Sequence, residues 1–362
     1  MPPARQAIGP GRVNLIGDHT DYNLGVALPM AVALGVTVEF EPSEGSTLEV
    51  TSAAFPDRAA IIDVTTDDLP VASFEPAWAR PVAAMATLVR PGPGNLRIES
   101  DLPIGAGLSS SAALCVALAD VFGVGGSAVE LARLCQEAER RAGSPVGAMD
   151  PLVCAGARSG HALLIDFSSM TTRQIPLPAE AEVVVVDSDR PRTVAGSAYA
   201  ERVAECHAAA ALIGPLGAAD EKEAGSIADP VLRCRARHVT TECRRVRAFA
   251  GALAAGELAD AGRLMTESHQ SLSHDFEVST PEMDRLVGWL DSLDGVYGAR
   301  MTGAGFGGCA VLLARPGAVD SASLPNRAWR FEAVDGVLAA REPRRVAPTA
   351  PTAPPAADGD AV

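Results

Sequence analysis

Hydrophobic positions follow two different periods along this chain, and the change of period marks the elements. Apolar and polar residues alternate in VTVEFEPSEGSTLEVTSA (36–53), which predicts two strands joined by a turn, and again in LRIESDLP (96–103). HALLIDF (161–167) and AEVVVVDS (181–188) are uninterrupted apolar runs, which are typical of strands covered on both faces. The pattern therefore predicts strands in both halves of the chain.

Helical periodicity fills much of the remaining sequence. SSSAALCVALADVFG (109–123) and VELARLCQEAERRAG (129–143) predict helices, and a glycine ends the second. The stretch from residue 198 to 255 is strongly helical, and the pattern continues through residues 258–276 and 281–293. Strands mixed with helices, with the helices concentrated in the second half, favour an α+β fold of two domains.

The domain boundary is expected near residues 170–180. We therefore predict an N-terminal domain over residues 1–175 and a C-terminal domain over residues 176–341. Beyond that point, EPRRVAPTAPTAPPAADGDAV is rich in Pro and Ala and has no hydrophobic period. Residues 342–362 are predicted to be a disordered tail with no catalytic part.

Composition excludes several classes of function. The formal charge of −15 argues against general affinity for nucleic acid, whose phosphates require a basic surface. Seven scattered cysteines without a CxxC pair predict reduced thiols rather than a zinc site or a disulfide framework. The first residues lack the apolar run of a signal peptide, and no segment is apolar for about 18 residues. We expect a cytoplasmic protein without membrane or nucleic-acid partners.

An unusual density of polar groups occurs in GPGRVNLIGDHTDYNLGVALPM (9–30). An Arg, two Asp, a His, a Tyr and two Asn lie among glycines and aliphatic residues. One interpretation is a polar hairpin. The other is a pocket for a ligand that carries many hydroxyl groups.

Two glycine-rich loops lie between apolar elements. LPIGAGLSSSAAL (102–114) runs from a strand to a helix start with three serines, where backbone N–H groups and the helix dipole favour an anion. It is not a Walker A sequence, and read alone it is equally compatible with an ordinary turn. MTGAGFGGCAVLL (301–313) is the second loop, for which a tight turn between strands is the alternative.

One acidic residue follows a Gly/Pro loop in EAERRAGSPVGAMDPL (137–152). Asp150 lies among small and apolar residues and is a candidate general base. Read alone, a helix N-cap explains it as well.

Together these segments resemble the three motifs of the GHMP small-molecule kinases, in the same order, and the first resembles the galactokinase signature. The resemblance runs from about residue 7 to 340. It implies a two-domain GHMP kinase fold, with an N-terminal ribosomal-protein-S5-like α/β domain and a C-terminal ferredoxin-like α+β domain. It also implies a Mg²⁺- and ATP-dependent enzyme that phosphorylates the anomeric hydroxyl of galactose.

The resemblance also implies roles for individual residues. Asp150 would orient the anomeric hydroxyl and take its proton, and Arg12 would hold Asp150 ionised and balance charge during transfer. The sugar would be bound by Asp18, His19, Asp21, Gly147 and Tyr199. Carboxylates suit this task because they accept strong hydrogen bonds from neighbouring hydroxyls.

For the nucleotide, the resemblance implies a triphosphate site and a metal site. The triphosphate would lie on Gly105, Ala106, Gly107, Leu108, Ser109, Ser110 and Ser111. Mg²⁺ would be held by Ser110 or a neighbouring serine together with Glu139, and Trp78 would lie beside the adenine. The 301–308 loop would close over the site and support the sugar pocket.

Departures from the family pattern keep other substrates open. Asp18 and Pro151 stand where the family usually has Glu and Gln, and Ala304 stands where it commonly has Gly. A kinase for an amino sugar or a pentose is therefore the alternative, and a sugar sensor without turnover is a more distant one. Mevalonate or homoserine kinases are disfavoured, because residues 18–21 offer carboxylates where an anionic substrate needs cations. A monomer is expected, with a weak dimer as the alternative.

Overall fold

Two β-sheets and the helices packed on them form the computed structural model, which describes residues 3–66, 69–103, 107–143, 147–189, 195–320 and 324–341. Within these ranges the strands are β1 (Arg5–Ile16), β2 (Val26–Pro42), β3 (Thr47–Ser52), β4 (Ala60–Asp63), β5 (Gly94–Ser100), β6 (His161–Asp166), β7 (Thr171–Pro176), β8 (Glu182–Asp187), β9 (Val296–Thr302), β10 (Cys309–Ala314) and β11 (Ala328–Phe331). The helices are α1 (Arg80–Val89), α2 (Ser110–Val121), α3 (Ala128–Arg141), α4 (Met149–Gly156), α5 (Ala195–Ile213), α6 (Glu221–Gly225), α7 (Pro230–Ala255), α8 (Leu258–His274), α9 (Pro281–Asp291) and α10 (Val337–Arg341).

Strands β1–β7 form one sheet and strands β8–β11 form the other. The first has the order β4-β3-β5-β2-β6-β7, with β1 paired to β2, and the second has the order β11-β8-β10-β9. β3 runs parallel to β5, and the other pairs are antiparallel. No strand of one sheet pairs with a strand of the other in the described part of the chain. The mixed strands and helices confirm the α+β class, while the exact domain boundary stays a prediction.

The polar N-terminal segment is a hairpin. β1 and β2 pair antiparallel, with Arg12 opposite Ala31 and Asn14 opposite Pro29. Residues 17–25 connect the two strands and hold most of the polar side chains noted in the sequence. The hairpin is therefore compatible with the pocket interpretation as well, because the loop of a hairpin can line a pocket.

Helix α2 lies unusually close to β1. A Cβ atom added at Gly9 would stand 2.0 Å from the carbonyl oxygen of Ala113, so only glycine allows this approach. A Cβ at Gly11 would stand 2.6 Å from the Leu102 side chain. The close packing places the N-terminus of α2 beside Arg12, whose backbone N–H donates to the Leu108 carbonyl at 3.0 Å.

The C-terminal half covers the hairpin from the other side. α8 and α9 pack against β9, and α7 packs against both α8 and β2. After β11 the chain returns to the first sheet, where Ala333 forms a bridge with Val32, and Arg341 pairs with Asp120. Within the described ranges, none of the helices combines the length and apolar character that a membrane crossing needs. The predicted tail, 342–362, lies outside the described residues.

Candidate active site

An arginine–carboxylate pair forms the centre of the site. Arg12 projects from β1, and its Nε and Nη2 donate to the two carboxylate oxygens of Asp150, each at 2.6 Å. Nη1 donates to the Gly107 carbonyl, also at 2.6 Å. Burial alone would lower the pKa of Arg12, but the Asp150 carboxylate outweighs it and raises that pKa. The bidentate contact therefore keeps Arg12 charged and fixes the direction of Asp150.

Asp150 lies in the first turn of a short helix that the sequence pattern did not predict. α4 begins at Met149, and Ala148 is the N-cap, so Asp150 is not the cap. Pro151 is the third residue of α4, where a backbone N–H would have no intrahelical acceptor. The proline therefore costs the helix no hydrogen bond.

The serine-rich start of α2 reaches the same carboxylate. Ser109 is the N-cap in a left-handed conformation (φ 63°), and its hydroxyl donates to Asp150 rather than capping the helix. The first backbone N–H groups of α2 are thus left without a side-chain cap, which makes this helix end a potential anion site. Gly107 and Leu108 precede it, whereas the predicted phosphate-loop residues Gly105 and Ala106 lie outside the described residues.

A buried glutamate lies beside this helix start. Glu139 of α3 is 1% exposed, and the Ser111 hydroxyl donates to its Oε1. Burial raises the pKa of Glu139 to about 7, although the Ser111 hydrogen bond opposes the shift. Its Oε2 has no hydrogen-bond partner in the part of the chain that is described. Ser111 and not the predicted Ser110, which is exposed, makes this contact.

The Glu139 carboxylate and the Ser111 hydroxyl offer oxygen ligands that suit a hard cation. Mg²⁺ prefers oxygen ligands and is commonly held by one or two carboxylates together with substrate phosphates. Among the described residues, no group of three or more His, Cys, Asp or Glu side chains could form a complete metal cage. The site is therefore compatible with an ion that arrives with a nucleotide.

Asp21 and Gly147 lie in contact, close enough to Asp150 for its charge to act on Asp21. A Cβ atom at Gly147 would lie 1.8 Å from Asp21 Oδ2, so the glycine leaves just enough space for the carboxylate. Burial, followed by the charge of Asp150, raises the pKa of Asp21 to about 6. The Asp21 carboxylate accepts hydrogen bonds from the backbone N–H groups of Asp21 and Tyr22, and it is partly exposed, so it can also accept hydrogen bonds from a ligand.

Aromatic side chains line the adjoining wall. His19 Nδ1 is 2.9 Å from the Tyr22 hydroxyl, and its ring centroid is 5.8 Å from that of Tyr199 on α5 and 4.5 Å from that of Phe276. Burial, with the nearby His238, lowers the pKa of His19 to about 3, so the ring is neutral. His19 also adopts a left-handed conformation (φ 64°), which is uncommon for residues other than glycine.

Asp18 differs from Asp21 in its surroundings. It is 3% exposed, and Arg300 Nη2 donates to its Oδ2 at 2.5 Å, while the Gly303 N–H donates to its Oδ1 at 3.0 Å. Both carboxylate oxygens of Asp18 thus accept hydrogen bonds from the protein itself.

Sequence reasoning missed two residues of this region. Arg300 is fully buried on β9, and its only sequence signal is a charge within a strand that precedes a glycine loop. Asn14 shares the face of β1 with Arg12 and is also fully buried, and neither atom of its amide group has a partner among the described residues. An amide within the aliphatic run RVNLIG was the available signal.

Trp78, predicted to contact adenine, is only partly buried. Its indole ring stacks on Phe55 with centroids 5.6 Å apart and planes 9° apart, and its N–H donates to the Arg58 carbonyl at 3.2 Å. The structure therefore gives Trp78 an aromatic neighbour, and the adenine contact stays a prediction.

Comparisons with known proteins match most of this chain. The galactokinase galactose-binding signature matches residues 2–42, the GHMP kinases N terminal domain matches 79–157, and the GHMP kinases C terminal domain matches 249–328. A galactokinase of Roseiflexus sp. (strain RS-1) is 42% identical over 333 residues, which cover 86% of this chain and 84% of that protein. A galactokinase of Canis lupus familiaris is 40% identical and covers 84% of this chain and 82% of its own.

Solved structures give the same fold. The galactokinase of Lactococcus lactis complexed with galactose has a TM-score of 0.83 at 29% identity, covering 92% of this chain and 94% of that one. A mevalonate kinase has a TM-score of 0.65 at 18% identity, covering 91% of this chain and 99% of that one, and shows the fold alone. The predicted GHMP kinase fold is confirmed.

Proposed function

This chain belongs to the galactokinase family of the GHMP kinases, and from that premise we propose that it transfers the γ-phosphate of ATP to the anomeric hydroxyl of galactose, giving galactose 1-phosphate. The observation that carries the proposal is the bidentate Arg12–Asp150 pair at the uncapped N-terminus of α2. It brings a proton acceptor, a fixed positive charge and an anion site together, which phosphoryl transfer requires.

Asp150 accepts the proton of the anomeric hydroxyl. Arg12 and the Ser109 hydroxyl hold its two oxygens in fixed directions, so the carboxylate needs no reorganisation when the sugar binds. Arg12 has a second role, because a guanidinium in this position stabilises negative charge that develops on the transferred group.

The nucleotide phosphates bind at the start of α2, over Gly107–Ser111 and the preceding Gly105 and Ala106. Uncapped N–H groups and the helix dipole favour negative charge there. Glu139, with Ser111 or Ser110, would hold Mg²⁺, which when bound neutralises charge on the phosphates. The unpartnered Oε2 of Glu139 supports this assignment.

The sugar binds in the space beside Asp150. Asp21 accepts hydrogen bonds from sugar hydroxyls, neutral His19 and Tyr199 form the adjoining wall, and the Gly147 backbone contacts the ligand next to Asp21. The relative from Lactococcus lactis was solved with galactose, which supports this choice of sugar. A cytoplasmic location and a monomeric state stay predictions from the sequence.

The test is Mg·ATP-dependent ADP release by the purified protein with galactose, glucose, galactosamine, N-acetylgalactosamine, arabinose and talose. We expect turnover with galactose and a loss of about 10²–10⁴-fold in kcat for Asp150→Asn, which retains the shape but not the basicity. Turnover of another sugar alone would move the substrate assignment. Galactose binding with no turnover of any sugar would instead favour a sensor.

A further inference from the structure

The sugar-binding loop is held from behind by the C-terminal half of the chain. Arg300 Nη1 donates to the Leu15 carbonyl at 3.1 Å and Nη2 to the Asp18 carboxylate at 2.5 Å. Glu242 of α7 accepts the Gly17 N–H at 3.0 Å. We call the side chains of Arg300 and Glu242, with the Gly303 N–H, the clamp.

The charges of the clamp are fully buried. Arg300 and Glu242 are both 0% exposed, and Glu242 also accepts hydrogen bonds from Arg245 (2.8 Å) and Ser268 (2.6 Å). Burial would raise the pKa of Glu242, but Arg245 and Arg300 outweigh it and lower that pKa to about 2. Because an unpaired buried charge is costly, these partners are strongly fixed relative to one another.

The clamp meets the loop where its backbone takes positive φ values. Gly17 has φ +100°, and a Cβ there would lie 2.7 Å from the Val26 carbonyl oxygen. His19 has φ 64°. A left-handed conformation is unfavourable for a residue such as His19, and the clamp holds the residues that lead into it, Leu15, Gly17 and Asp18.

Resting on the proposed function, we infer that Asp18 is a positioning residue paired with Arg300, and that the clamp places His19 and Asp21 against the sugar. Both oxygens of Asp18 accept hydrogen bonds from Arg300 and Gly303, and its side chain is only 3% exposed. The Asp150 side chain, whose oxygens are also paired, is 21% exposed, and Asp21 is more exposed than Asp18. Asp18 therefore acts on the sugar through the loop rather than by direct contact.

The first test combines protein variants with modified substrates, in the manner of a double-mutant cycle. kcat/KM is measured for galactose and for its 2-, 3-, 4- and 6-deoxy analogues with the wild type, Asp18→Asn and, as a matched control, Asp21→Asn. A residue that only positions the loop lowers kcat/KM by one factor, about 10²-fold, for every sugar, so each deoxy penalty is unchanged. Asp21→Asn, by contrast, should abolish the penalty for at least one analogue.

The penalty of a deoxy sugar is the factor by which its kcat/KM falls below that of galactose. The inference is overturned if Asp18→Asn reduces this factor about 10-fold or more for one deoxy sugar, because that marks a direct contact. Should this variant fail to fold, Arg300→Lys takes its place, since it keeps the positive charge but cannot donate to both the Leu15 carbonyl and the Asp18 carboxylate as Arg300 does. A uniform loss across the sugars supports the clamp, and a sugar-specific loss contradicts it. A wild type inactive on every sugar refutes the proposed function instead.

A second test uses the buried pair. Asp18→Asn or Arg300→Met alone leaves one uncompensated charge, whereas the double variant leaves none. We expect the double variant to retain at least about 10-fold more kcat/KM for galactose than the product of the single losses. Single losses that simply multiply would show that Asp18 and Arg300 act independently and contradict the inference.

Discussion

At the scale of single residues, the fit between Gly147 and Asp21 is the most exacting feature of the sugar pocket. Gly147→Ala would place a methyl group 1.8 Å from Asp21 Oδ2, so the carboxylate must move. We expect KM for galactose to rise about 10-fold or more, while KM for Mg·ATP changes little, as measured by steady-state kinetics.

Gly288→Ala is the matched control for this substitution. Gly288 lies in α9, and a Cβ there meets nothing within 4 Å. This variant should keep wild-type kinetics and gain about 0.4–1 kcal/mol in unfolding free energy. Equal KM values for galactose in Gly147→Ala and Gly288→Ala would show that Asp21 is not a sugar ligand.

Two raised pKa values predict the pH dependence of activity. Asp21 (pKa about 6) and Glu139 (pKa about 7) are both ionised at pH 8 and take up protons as the pH falls. Protonation removes an acceptor from the sugar site and a negative charge from the metal site. Below pH 7, KM for Mg·ATP should rise, and below pH 6 KM for galactose should rise by up to about 10-fold per pH unit.

The Asp21→Asn variant is the control for the pH dependence of KM for galactose. Asp21→Asn cannot titrate, so its KM for galactose, although higher, should be flat between pH 7 and 5. A wild-type KM for galactose that does not change across this range would contradict the assignment of Asp21.

The sequence predicted the reacting pair but not what holds it. Arg12 and Asp150 stand out through their motifs, although 138 positions separate them. The contacts of Asp18 with Arg300 and of Gly17 with Glu242 span 282 and 225 positions, and no local pattern encodes such pairings. The resemblance to the family motif predicted Asp18 as a sugar contact, but its pairing with Arg300 was not visible in the sequence.

At the scale of elements, the approach of α2 to β1 sets the position of the phosphate site. Gly9→Ala would bring a methyl group within 2.0 Å of the Ala113 carbonyl oxygen, and the helix must shift away. We expect a loss of about 1–3 kcal/mol in unfolding free energy, measured by denaturant titration, and weaker Mg·ATP binding. Gly251→Ala on α7, where a Cβ meets nothing within 4 Å, should show neither effect.

A Gly9→Ala protein as stable as the wild type would mean that α2 does not rest on β1 as described.

Among the elements, α2, α3, β6 and β8 were predicted from periodicity within a few residues of their observed bounds. α4 was missed because MDPLVCAG is too short for a helical period and contains a proline.

At the scale of the whole molecule, the site draws on both halves of the chain. The hairpin loop, Asp150 and α2 come from the first half, while Tyr199, Arg300 and the 303–308 loop come from the second. The order of the three motifs was enough to predict the fold, because the motifs are local. The arrangement of the halves around the loop depends on tertiary packing and could not be predicted.

The most direct test of the central claim is a single-turnover reaction of excess enzyme with Mg·ATP and galactose, followed by NMR identification of the product. We predict phosphate on the anomeric oxygen, formed rapidly by the wild type and slowed about 10²–10⁴-fold by Asp150→Asn, which still binds galactose. Phosphate on another hydroxyl, or an Asp150→Asn rate equal to that of the wild type, would contradict the assignment of Asp150 as the base.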